Sequence, residues 1–484
     1  MPEIQNLTFK RKFSRTLYKN LKLRLGEMSF YKDFVHTDRG DMYPILADGG
    51  VYEESVADGG YRFIGKADAF AVRLLGQHFP YATYEVTVRH LQGTAGLRFT
   101  LPDGTSFDVC FTVRDGLLYM GRDSMCGRFT PGMSFIVTCR GAFFDVYRKV
   151  SGGMPVFVQT LHAPAFCDVC REAVFSGTTA ALCLSGEAEL DAVSFYMDCG
   201  ISQADMRPIR YENGDVIVEN GRIYLTMSVR MQEGCYQGIF SLIPGTDEFE
   251  LTGSLFYDAG DGIWANDVAA SVLYHRGEKK WYLWVCSFSH GHRLAHAACE
   301  GDIRFGVNVA DVTLMPSMRD GDSDKDFRGK QGDEDPDFLY DEKNGLWYMT
   351  ICRLVSDCDG TNYRYFLFRS ENPFEGYRYV GHAASGAETG GSLVRDDGGL
   401  AFICGSGFDR RAEYHVYRVP DFSSYSLLTC DYDDGGFRGW GTVIPLRGGS
   451  RRRYFWLTFD RHGASPYTWS YGNLYCFEAG GKNV

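Results

Sequence analysis

The length, composition and charge of the chain describe a large acidic protein rich in aromatic residues. It has 484 residues, a formal net charge of −12 and a pI of about 5.5, and 44% of its residues are hydrophobic. This length favours two domains, and the charge argues against a nucleic-acid partner, which needs a basic face. The 30 Tyr and 35 Phe, with 57 Gly against 15 Pro, favour strands and tight turns, so an all-β protein is predicted.

The first 32 residues are basic, with eight Lys or Arg against two Glu. The run FKRKFSRTLYKNLKLRLGEM has the pattern of an amphipathic surface helix, so residues 1–40 are predicted to form an N-terminal segment with helical character. The sequence contains no apolar run long enough to span a bilayer and no apolar stretch before a small-residue cleavage site. With 15 Cys in no framework spacing, these features predict a cytoplasmic protein with reduced thiols and no membrane partner.

Residues 41–203 alternate apolar and polar positions in short runs that hairpin signals separate. The stretch GLRFTLPDGTSFDVCFTVRDGLLYMGR carries two such signals, LPDGTS and RDG. A β-sandwich of the lectin-like or jelly-roll type is predicted for this region. Its pair Cys167 and Cys170 is a lone CxxC without a second pair, which does not favour a metal or redox role.

From residue 204 onward the chain repeats a hairpin unit. Three units place an acid ten residues before a glycine, as the pairs Asp267 and Gly277, Asp335 and Gly345, and Glu388 and Gly398. The same units end their second strand at Cys286, Cys352 and Cys404. Two more units, near 212–230 and 440–460, share the hairpin but not the offset between the acid and the glycine. Hairpin units that repeat along a chain in this way are typical of a β-propeller. Residues 204–484 are therefore predicted to form a five-bladed β-propeller.

The first strand of each propeller blade lines the central channel, so acids at the strand starts are expected to converge. Crowded carboxylates raise at least one pKa, which suits a general acid at neutral pH, and glycoside hydrolysis uses two carboxyl groups. The candidate catalytic residues are Asp205, Asp267, Asp335 and Glu388, with Asp215 as an alternative to Asp205. Turn formation is the competing interpretation for Asp335 before Pro336 and for Asp267 after Asn266. The acids Asp333, Asp337 and Asp341 are expected to be solvated.

Other polar and aromatic residues of the repeat region are candidates for substrate binding. Arg207 and Arg210 flank Asp205, either as substrate clamps or as its salt-bridge partners. The histidines of SFSHGHRLAHAAC lack a completing Cys or acid for a metal site, so a metal-free loop is favoured in which His290 and His292 contact substrate. The remaining candidates are Glu334 and, for stacking on sugar rings, Trp264, Trp440 and Trp469.

The five hairpin units and the central Asp-Pro pair resemble the five-bladed β-propeller glycoside hydrolases, which include the family 43 arabinanases and xylosidases and the invertase-like fructosidases. Glu334-Asp335-Pro336 is similar to the Arg-Asp-Pro motif of the invertases, with Glu in place of Arg. The resemblance covers about residues 205–480. It implies that Asp335 is the positioning carboxylate, that Glu388 is the general acid, and that Asp205 or Asp215 is the base or nucleophile.

The chain also departs from that family pattern. The Asn-Asp-Pro motif is absent from the first unit, and the nearest string, Asn266-Asp267-Val268, falls in the second unit, which makes Asp267 an alternative base. The Glu-Cys motif of the fructosidases reads Glu388-Thr389 here, and the sandwich precedes the propeller whereas in the invertases it follows.

The predicted function is hydrolysis of a glycosidic bond in an oligosaccharide or plant-type glycan, with a preference for inversion that comes from the resemblance alone. No cofactor is predicted, although a structural calcium ion on the propeller axis stays an open alternative. Two other functions also stay open. A glycoside phosphorylase on the same fold would bind phosphate through Arg207, Arg210, Arg410 and Arg411. A non-catalytic glycan-binding protein would hold the acids apart or pair them with Arg and Lys. The sequence does not fix the oligomeric state.

Overall fold

The structure is a computed structural model, and it describes residues 3–24, 32–33, 44–57, 60–66, 68–121, 123–316, 331–357, 360–384, 388–396, 398–406, 413–429, 437–448, 451–460 and 472–483. Strands dominate the described residues, which confirms the all-β prediction. The helical elements among them are the one-turn α-helix Glu172–Phe175 and the 3-10 turns Glu3–Asn6, Pro164–Phe166 and Phe288–His290. Within these ranges no helix is both long and apolar enough to cross a membrane.

The chain divides into two compact units. The propeller unit comprises residues 1–21, 199–261 and 265–484, and the N-terminal unit comprises residues 22–198 and 262–264. The predicted boundary at 203 and 204 lies close to the observed division at 198 and 199, whereas the first 21 residues belong to the propeller unit.

The helix expected within residues 1–40 is wrong for the described part of that segment. These residues form the strands Lys10–Arg15, Lys22–Arg24 and Lys32–Asp33. The first of them pairs with the strand Leu474–Asn483, so a sheet provides the backbone partners that a helix would otherwise have supplied internally. Tertiary pairing therefore overrides the helical pattern of this basic stretch.

The described strands of the propeller unit form five sheets, which confirms the prediction of five blades. Blade 1 contains Ser202–Pro208, Arg222–Arg230, Cys235–Leu242, Phe249–Asp258 and Gly306–Asp311, with Val218–Glu219 beside the second strand. Blade 2 contains Val268–His275, Lys280–Ser287, Arg293–Cys299 and Thr313–Leu314, with Arg210–Tyr211 parallel to the first strand. Blade 3 contains Gln331–Asp341, Leu346–Asp357, Gly360–Ser370 and Arg378–His382. Blade 4 contains Glu388–Asp396, Gly399–Ser406, Glu413–Arg418 and Tyr425–Thr429. Blade 5 contains Phe437–Gly448, Arg451–Asp460, Leu474–Asn483 and the N-terminal Lys10–Arg15.

The N-terminal strand completes the last blade and so closes the ring. Phe9, which precedes this strand, is 4% exposed, and its ring packs edge to face on Trp456 of blade 5 at 5.3 Å. The backbone N–H of Ile4 donates to the carboxylate of Asp396 in blade 4 at 3.2 Å. Apolar contacts and a buried hydrogen bond thus bind the first residues to the last two blades.

Apolar side chains fill the space between neighbouring blades. Trp284 of blade 2 stacks on Phe338 of blade 3 at 4.0 Å, and Tyr365 of blade 3 packs on Phe402 of blade 4 at 4.7 Å. Burial of such surface is the main stabilising contribution to the fold. The blades therefore form a rigid frame that fixes where each inner strand begins.

In the part of the N-terminal unit that the structure describes, 14 strands form one hydrogen-bonded sheet. Its strands are Lys22–Arg24, Lys32–Asp33, Ile45–Gly49, Tyr52–Ala57, Gly60–Gly65, Phe70–Gln77, Thr83–Thr100, Ser106–Arg114, Leu117–Met120, Ser124–Arg128, Met133–Arg140, Phe143–Lys149, Val156–His162 and Thr179–Asp198. The long strands Thr83–Thr100 and Thr179–Asp198 pair along their length, and Gly93 faces Gly186 where the neighbours of Thr83–Thr100 change. Both glycines have positive φ, and a Cβ on Gly93 would lie 2.2 Å from the Ser185 carbonyl oxygen.

The two parts of this sheet also pack on each other through aromatic rings. Phe111 of Ser106–Arg114 stacks on Phe135 of Met133–Arg140 at 4.2 Å. The hydrogen bonding nevertheless joins all strands into one sheet, so the predicted sandwich of two separate sheets stays a prediction.

Candidate active site

The inner strands of blades 1 to 4 share a bulge at the end where the predicted acids lie. In each shared bulge one extra residue of the inner strand stands opposite the second strand, and blade 3 has a further register shift between Gln331 and Glu334. Within the bulge one residue is left-handed, namely Asp205, Ala269, Asp335 and Gly390, with φ of 52°, 60°, 49° and 61°. Positive φ strains most residues other than glycine, and aspartate tolerates it better than most. Asp205 and Asp335 therefore occupy the same place in blades 1 and 3.

The three acids predicted at one common offset do not occupy one position. Asp335 is itself the left-handed residue of blade 3, whereas Asp267 lies two residues before Ala269 and Glu388 lies two residues before Gly390. The residue of blade 3 that corresponds to Asp267 and Glu388 is Asp333.

The hairpin turns explain why acids at equal distances from a glycine in the sequence do not occupy equivalent positions in their blades. In blade 3 the turn spans 342–345 and ends at Gly345, with φ of 66°. In blade 2 the turn spans 276–279, and the left-handed residue at the same place is Lys279, with φ of 56°. Gly277 is therefore not the counterpart of Gly345. In blade 4 only residues 397–398 separate the paired residues Asp396 and Gly399, so the glycine spacing differs there too.

Glu334 and Asp335 of blade 3 form an acid cluster with Asp205 of blade 1. Burial, and then the negative charges of Asp205 and Glu334, raise the pKa of Asp335 to about 7. Burial, and then the charges of Asp205 and Asp333, raise the pKa of Glu334 to about 7. Because charges act on a pKa over short distances, the carboxyl group of Asp205 in blade 1 lies near those of Glu334 and Asp335 in blade 3. The cluster can both hold and release a proton near neutral pH.

Buried thiols show that acids from blades 2 and 4 lie near the same region. Burial, and then the charges of Glu334, Asp335 and Asp267, raise the pKa of the Cys286 thiol. Burial, and then the charges of Asp335, Glu334 and Glu388, raise the pKa of the Cys352 thiol. Each thiol thus faces carboxyl groups of two blades, as the predicted convergence requires.

Asp205 is held by an arginine that the sequence did not single out. The Nη2 atom of Arg230 lies 3.0 Å from Oδ2 of Asp205, whereas the buried Oδ1 has no hydrogen-bond partner among the described residues. Arg207, which was predicted to clamp substrate or pair with Asp205, is buried and donates to the backbone carbonyl of Asp335 at 3.2 Å. Asp205 therefore keeps one oxygen that accepts no hydrogen bond from the described residues.

Arg210 is buried in structural contacts, which do not favour the predicted role of a substrate clamp. Its guanidinium pairs with Asp337 at 2.5 Å and donates to the carbonyls of Phe338 and Leu393. Asp337 also accepts from the Ser271 hydroxyl at 2.7 Å and from the Leu393 N–H at 2.6 Å. This buried pair joins blades 2, 3 and 4 because its partners come from all three inner strands.

The expectation that Asp333, Asp337 and Asp341 are solvated is also wrong. Asp337 is fully buried, and Asp333 is buried against Arg353, whose Nε lies 2.5 Å from its Oδ1. Asp341 is buried and accepts from the Asn344 side chain at 2.6 Å within the hairpin turn. Each acid has a partner that offsets the desolvation of its charge.

Asp267 is committed to the loop that follows its own hairpin. Its carboxylate accepts from the Ser287 hydroxyl at 2.9 Å and from the Phe288 N–H at 3.0 Å, which fixes the 3-10 turn Phe288–His290. Burial raises the pKa of Asp267. His290 belongs to the same network, because its Nδ1 lies 2.8 Å from the Ser287 hydroxyl. A supporting role suits Asp267 better than that of a base.

Asp215, the alternative to Asp205, lies in a turn. Its backbone N–H and its carboxylate both hydrogen-bond the Asn213 side chain, at 3.1 Å each. Local turn formation therefore accounts for this acid, and Asp205 is the better candidate in blade 1.

Glu388 is fully buried in blade 4 and takes its partners from a later strand. Its Oε1 accepts from the Tyr417 hydroxyl and lies 2.8 Å from Nδ1 of His415. Its Oε2 is buried and has no hydrogen-bond partner among the described residues. Burial raises the pKa of Glu388, while the hydrogen bonds from His415 and Tyr417 oppose that shift.

The remaining predicted binding residues divide into three groups. His292 is exposed, and its Nδ1 lies 3.0 Å from Oε1 of Glu334, which places it at the acid cluster. Trp264 belongs to the N-terminal unit, where Phe79 and Phe175 pack on its ring at 6.0 and 4.8 Å, so it is not a free stacking platform. The side chain of Trp440, and Trp469, Arg410 and Arg411 as a whole, lie outside the described residues.

Sequence reasoning missed Arg230, His415 and Tyr417. Arg230 ends the second strand of blade 1, and nothing in its local sequence distinguishes it. His415 and Tyr417 alternate in EYHVYR, so the period of a strand places both on one face. That alternation could have indicated the shared face, but it does not identify the inner-strand residue that His415 and Tyr417 contact.

Comparison with known proteins adds structural matches only. No family matches the chain by its sequence, and none of the curated proteins does. An endo-1,4-β-xylanase from Bacteroides thetaiotaomicron is 14% identical, with a TM-score of 0.36, over 57% of this chain and 90% of that one. A family 117 glycoside hydrolase from Zobellia galactanivorans is 10% identical, with a TM-score of 0.39, over 58% and 85%. A family 93 α-L-arabinofuranosidase of Fusarium graminearum is 8% identical, with a TM-score of 0.36, over 81% and 97%. At these values the likeness carries no argument about activity, which has to be inferred from the residues of the site.

Proposed function

We propose that this protein is a glycoside hydrolase whose site is formed by Asp205, Glu334, Asp335 and Glu388. The observation that carries the proposal is the acid cluster, in which burial and the charges of neighbouring acids, Asp205 among them, raise the pKa values of Glu334 and Asp335 to about 7. Burying like charges together destabilises a fold, so such a cluster is typical of a functional site. Acid–base hydrolysis of a glycosidic bond uses carboxyl groups that differ in proton affinity.

The roles follow from the contacts and from the resemblance to the propeller glycoside hydrolases. Asp205 acts as the base or nucleophile, because Arg230 holds one carboxylate oxygen and the other stays uncommitted. Asp335 acts as the positioning carboxylate, as the resemblance implies, and its charge also contributes to the raised pKa values of the Cys286 thiol in blade 2 and the Cys352 thiol in blade 3. Glu388 acts as the general acid, as the resemblance implies, and burial keeps its proton affinity high. Inversion is the preferred outcome on the resemblance alone.

Glu334 is the second candidate for the general acid. Its pKa is raised to about 7, and its side chain is 19% exposed beside the exposed His292, whereas Glu388 is fully buried. A general acid needs a proton near neutral pH and access to the leaving oxygen. Substitution of each residue by glutamine distinguishes the two candidates, because only the true general acid is required to protonate the leaving oxygen of substrates with poor leaving groups.

The substrate proposed is a neutral oligosaccharide or plant-type glycan. A cluster of carboxyl groups repels uronates and other anions, and the same repulsion disfavours phosphate. The phosphorylase alternative also loses Arg210, which is buried in its contacts with Asp337, Phe338 and Leu393. The glycan-binding alternative predicted that the acids of the repeat lie apart or pair with Arg or Lys. Asp205 does pair with Arg230, whereas the described partners of Asp267 and Glu388 are Ser287 for the first and His415 and Tyr417 for the second. A cytoplasmic location, as the sequence suggested, is part of the proposal.

The test is an activity screen of the full chain on aryl glycosides and plant oligosaccharides, with and without inorganic phosphate. The hydrolase proposal expects free reducing sugar at a rate that phosphate does not change. Formation of sugar 1-phosphate only when phosphate is present would replace it with the phosphorylase. Silence on the whole panel, together with measurable glycan binding, would favour the binding protein.

A further inference from the structure

We propose that Glu388, Cys404 and His415 form a binding site for a divalent transition-metal ion of the zinc type. One oxygen of Glu388, the Sγ of Cys404 and one ring nitrogen of His415 all lie within 4.8 Å of one another. All three residues are buried. Among the described residues this is the one group of His, Cys, Asp and Glu side chains close enough to share an ion.

The strand register of blade 4 brings these three side chains together. Cys404 of the second strand pairs directly with His415 of the third strand. Glu388 of the inner strand pairs with Ser406, two residues from Cys404. Since alternate residues of a strand point to the same face, the three side chains lie on one face of the blade as direct and diagonal neighbours.

Cys404 lies on this face because its position in the second strand differs by one residue from the position that Cys286 and Cys352 occupy in theirs. Cys286 pairs with Val268 and Cys352 pairs with Glu334, each the residue before the left-handed one. In blade 4 that partner is Gly405, which pairs with Thr389. A shift of one residue moves a side chain to the opposite face of a strand, so Cys404 does not repeat the placement of Cys286 and Cys352.

The donor set selects the type of ion. Thiolate sulfur, imidazole nitrogen and carboxylate oxygen together are the ligands of zinc sites, and three protein ligands leave a fourth position for water or another ligand. Calcium and magnesium prefer oxygen ligands alone, so neither suits this group. The calcium ion considered for the propeller axis would therefore bind elsewhere.

The charges of the group also favour a cation. Oε2 of Glu388 is buried without a hydrogen-bond partner among the described residues, which is an unfavourable state for a carboxyl oxygen. A Zn²⁺ ion bound to a carboxylate, a thiolate and a neutral imidazole gives a group without net charge. Because metal ligands bind in their deprotonated forms, binding releases protons to solvent and affinity falls as pH is lowered.

The consequence for activity rests on the proposed function. If Glu388 is the general acid, an ion on its carboxylate removes the proton that the leaving oxygen needs. Zn²⁺ then inhibits hydrolysis, and a chelator restores it. Occupancy of one buried group would regulate the site without any movement of the blades.

The test is titration of the chelator-treated full chain with Co²⁺, followed by absorbance. We expect one equivalent to bind with a thiolate-to-cobalt charge-transfer band, and Zn²⁺ to displace it. Cys404→Ser should lose the band, and His415→Gln should weaken binding at least about tenfold, as loss of one metal ligand does. Cys286→Ser, which removes a buried thiol from the matching strand of blade 2, should bind as the wild type does.

Three outcomes would overturn the site. The first is the absence of a charge-transfer band in the wild type, and the second is a band that survives in folded Cys404→Ser. The third is a band that Cys170→Ser abolishes, because that result would place the ion at the CxxC pair. The two ligand variants are independent, so one that fails to fold does not leave the site untested. The readout is binding, so it also separates this proposal from the previous one. A wild type that binds Co²⁺ as expected but hydrolyses no glycoside would keep the metal site and refute the hydrolase.

Discussion

Asp205 and Asp335 occupy the same position in two different blades, and each affects the site of the other. Both are the left-handed residue in the bulge of their inner strand, with φ of 52° and 49°. The charge of Asp205 contributes to the raised pKa of Asp335, while the carbonyl of Asp335 accepts from Arg207, two residues after Asp205. Two left-handed aspartates at the same bulge position of blades 1 and 3 are the feature around which the proposed site is arranged.

The first prediction concerns the pH dependence of stability. The pKa of Asp335 rises from 3.8 to about 7 on folding, so between these values the folded protein keeps a proton that the unfolded chain has lost. This group therefore stabilises the fold below about pH 4, and that contribution is lost as pH rises to about 7, by about 2–4 kcal/mol. Asp335→Asn, which tolerates the same φ, should remove most of the loss.

The measurement is chemical denaturation at pH 5 and pH 8. The wild type should lose more stability between these pH values than Asp335→Asn, and Asp311→Asn, an exposed acid of blade 1, should behave as the wild type does. An equal loss in all three proteins would show that Asp335 is ionised at pH 5 and that the acid cluster is not perturbed.

The second prediction concerns Asp205. Asp205→Ala should lower kcat/KM by about 10²–10⁴, because it removes the base or nucleophile. Azide or formate should restore part of the rate by taking the place of the lost carboxylate. The configuration of the sugar product, followed by nuclear magnetic resonance, then shows whether the small anion entered the product. A variant with unchanged kcat/KM would transfer the role to Asp267.

The third prediction concerns the buried pair Arg210 and Asp337. Arg210→Met leaves the charge of Asp337 buried and unpaired, which should lower the free energy of unfolding by about 3–5 kcal/mol. Arg276→Met, which breaks the partly exposed pair with Glu212, should cost less than about 1 kcal/mol. Urea denaturation measures both. Similar values for the two variants would mean that Arg210 does not hold the inner strands together.

The fourth prediction concerns closure of the ring by the N-terminal strand. Phe9→Ala removes a buried ring that packs on Trp456 and should lower the free energy of unfolding by about 3–5 kcal/mol. Tyr425→Ala, a partly exposed ring on the outer strand of blade 4, provides the comparison. Thermal unfolding of the two variants side by side tests the role of the first residues. A smaller effect for Phe9→Ala than for Tyr425→Ala would argue that the ring is stable without them.

The propeller could be predicted because the hairpins repeat along the sequence. Such a repeat stays recognisable even when single residues differ between the units. The sequence also predicted that acids converge, because the inner strand of every blade begins at the same end of the channel. It could not predict which acids are equivalent. Gly277 and Gly345 look like counterparts in the sequence, whereas in the structure Lys279 takes the place of Gly345. A left-handed lysine carries no sequence signal.

Contacts between residues of different blades could not be predicted from the sequence either. Arg210 looked like a substrate clamp because it lies near Asp205 in the sequence, but its partner Asp337 lies more than 100 residues away. The pairing of Glu388 with His415 and Tyr417 depends on the register of three strands, which hairpin signals alone do not give. The helix expected at the N-terminus failed for the same reason, because the strand that pairs with it comes from the end of the chain.

The central claim is that acids of blades 1, 3 and 4 act together on a glycosidic bond. The most direct measurement is kcat/KM of the wild type, Asp335→Asn, Glu388→Gln and the exposed control Asp311→Asn on the best aryl glycoside, with folding checked by circular dichroism. The account predicts losses of at least about 10² in the first two variants and none in the control. Full activity in folded Asp335→Asn and Glu388→Gln would contradict it.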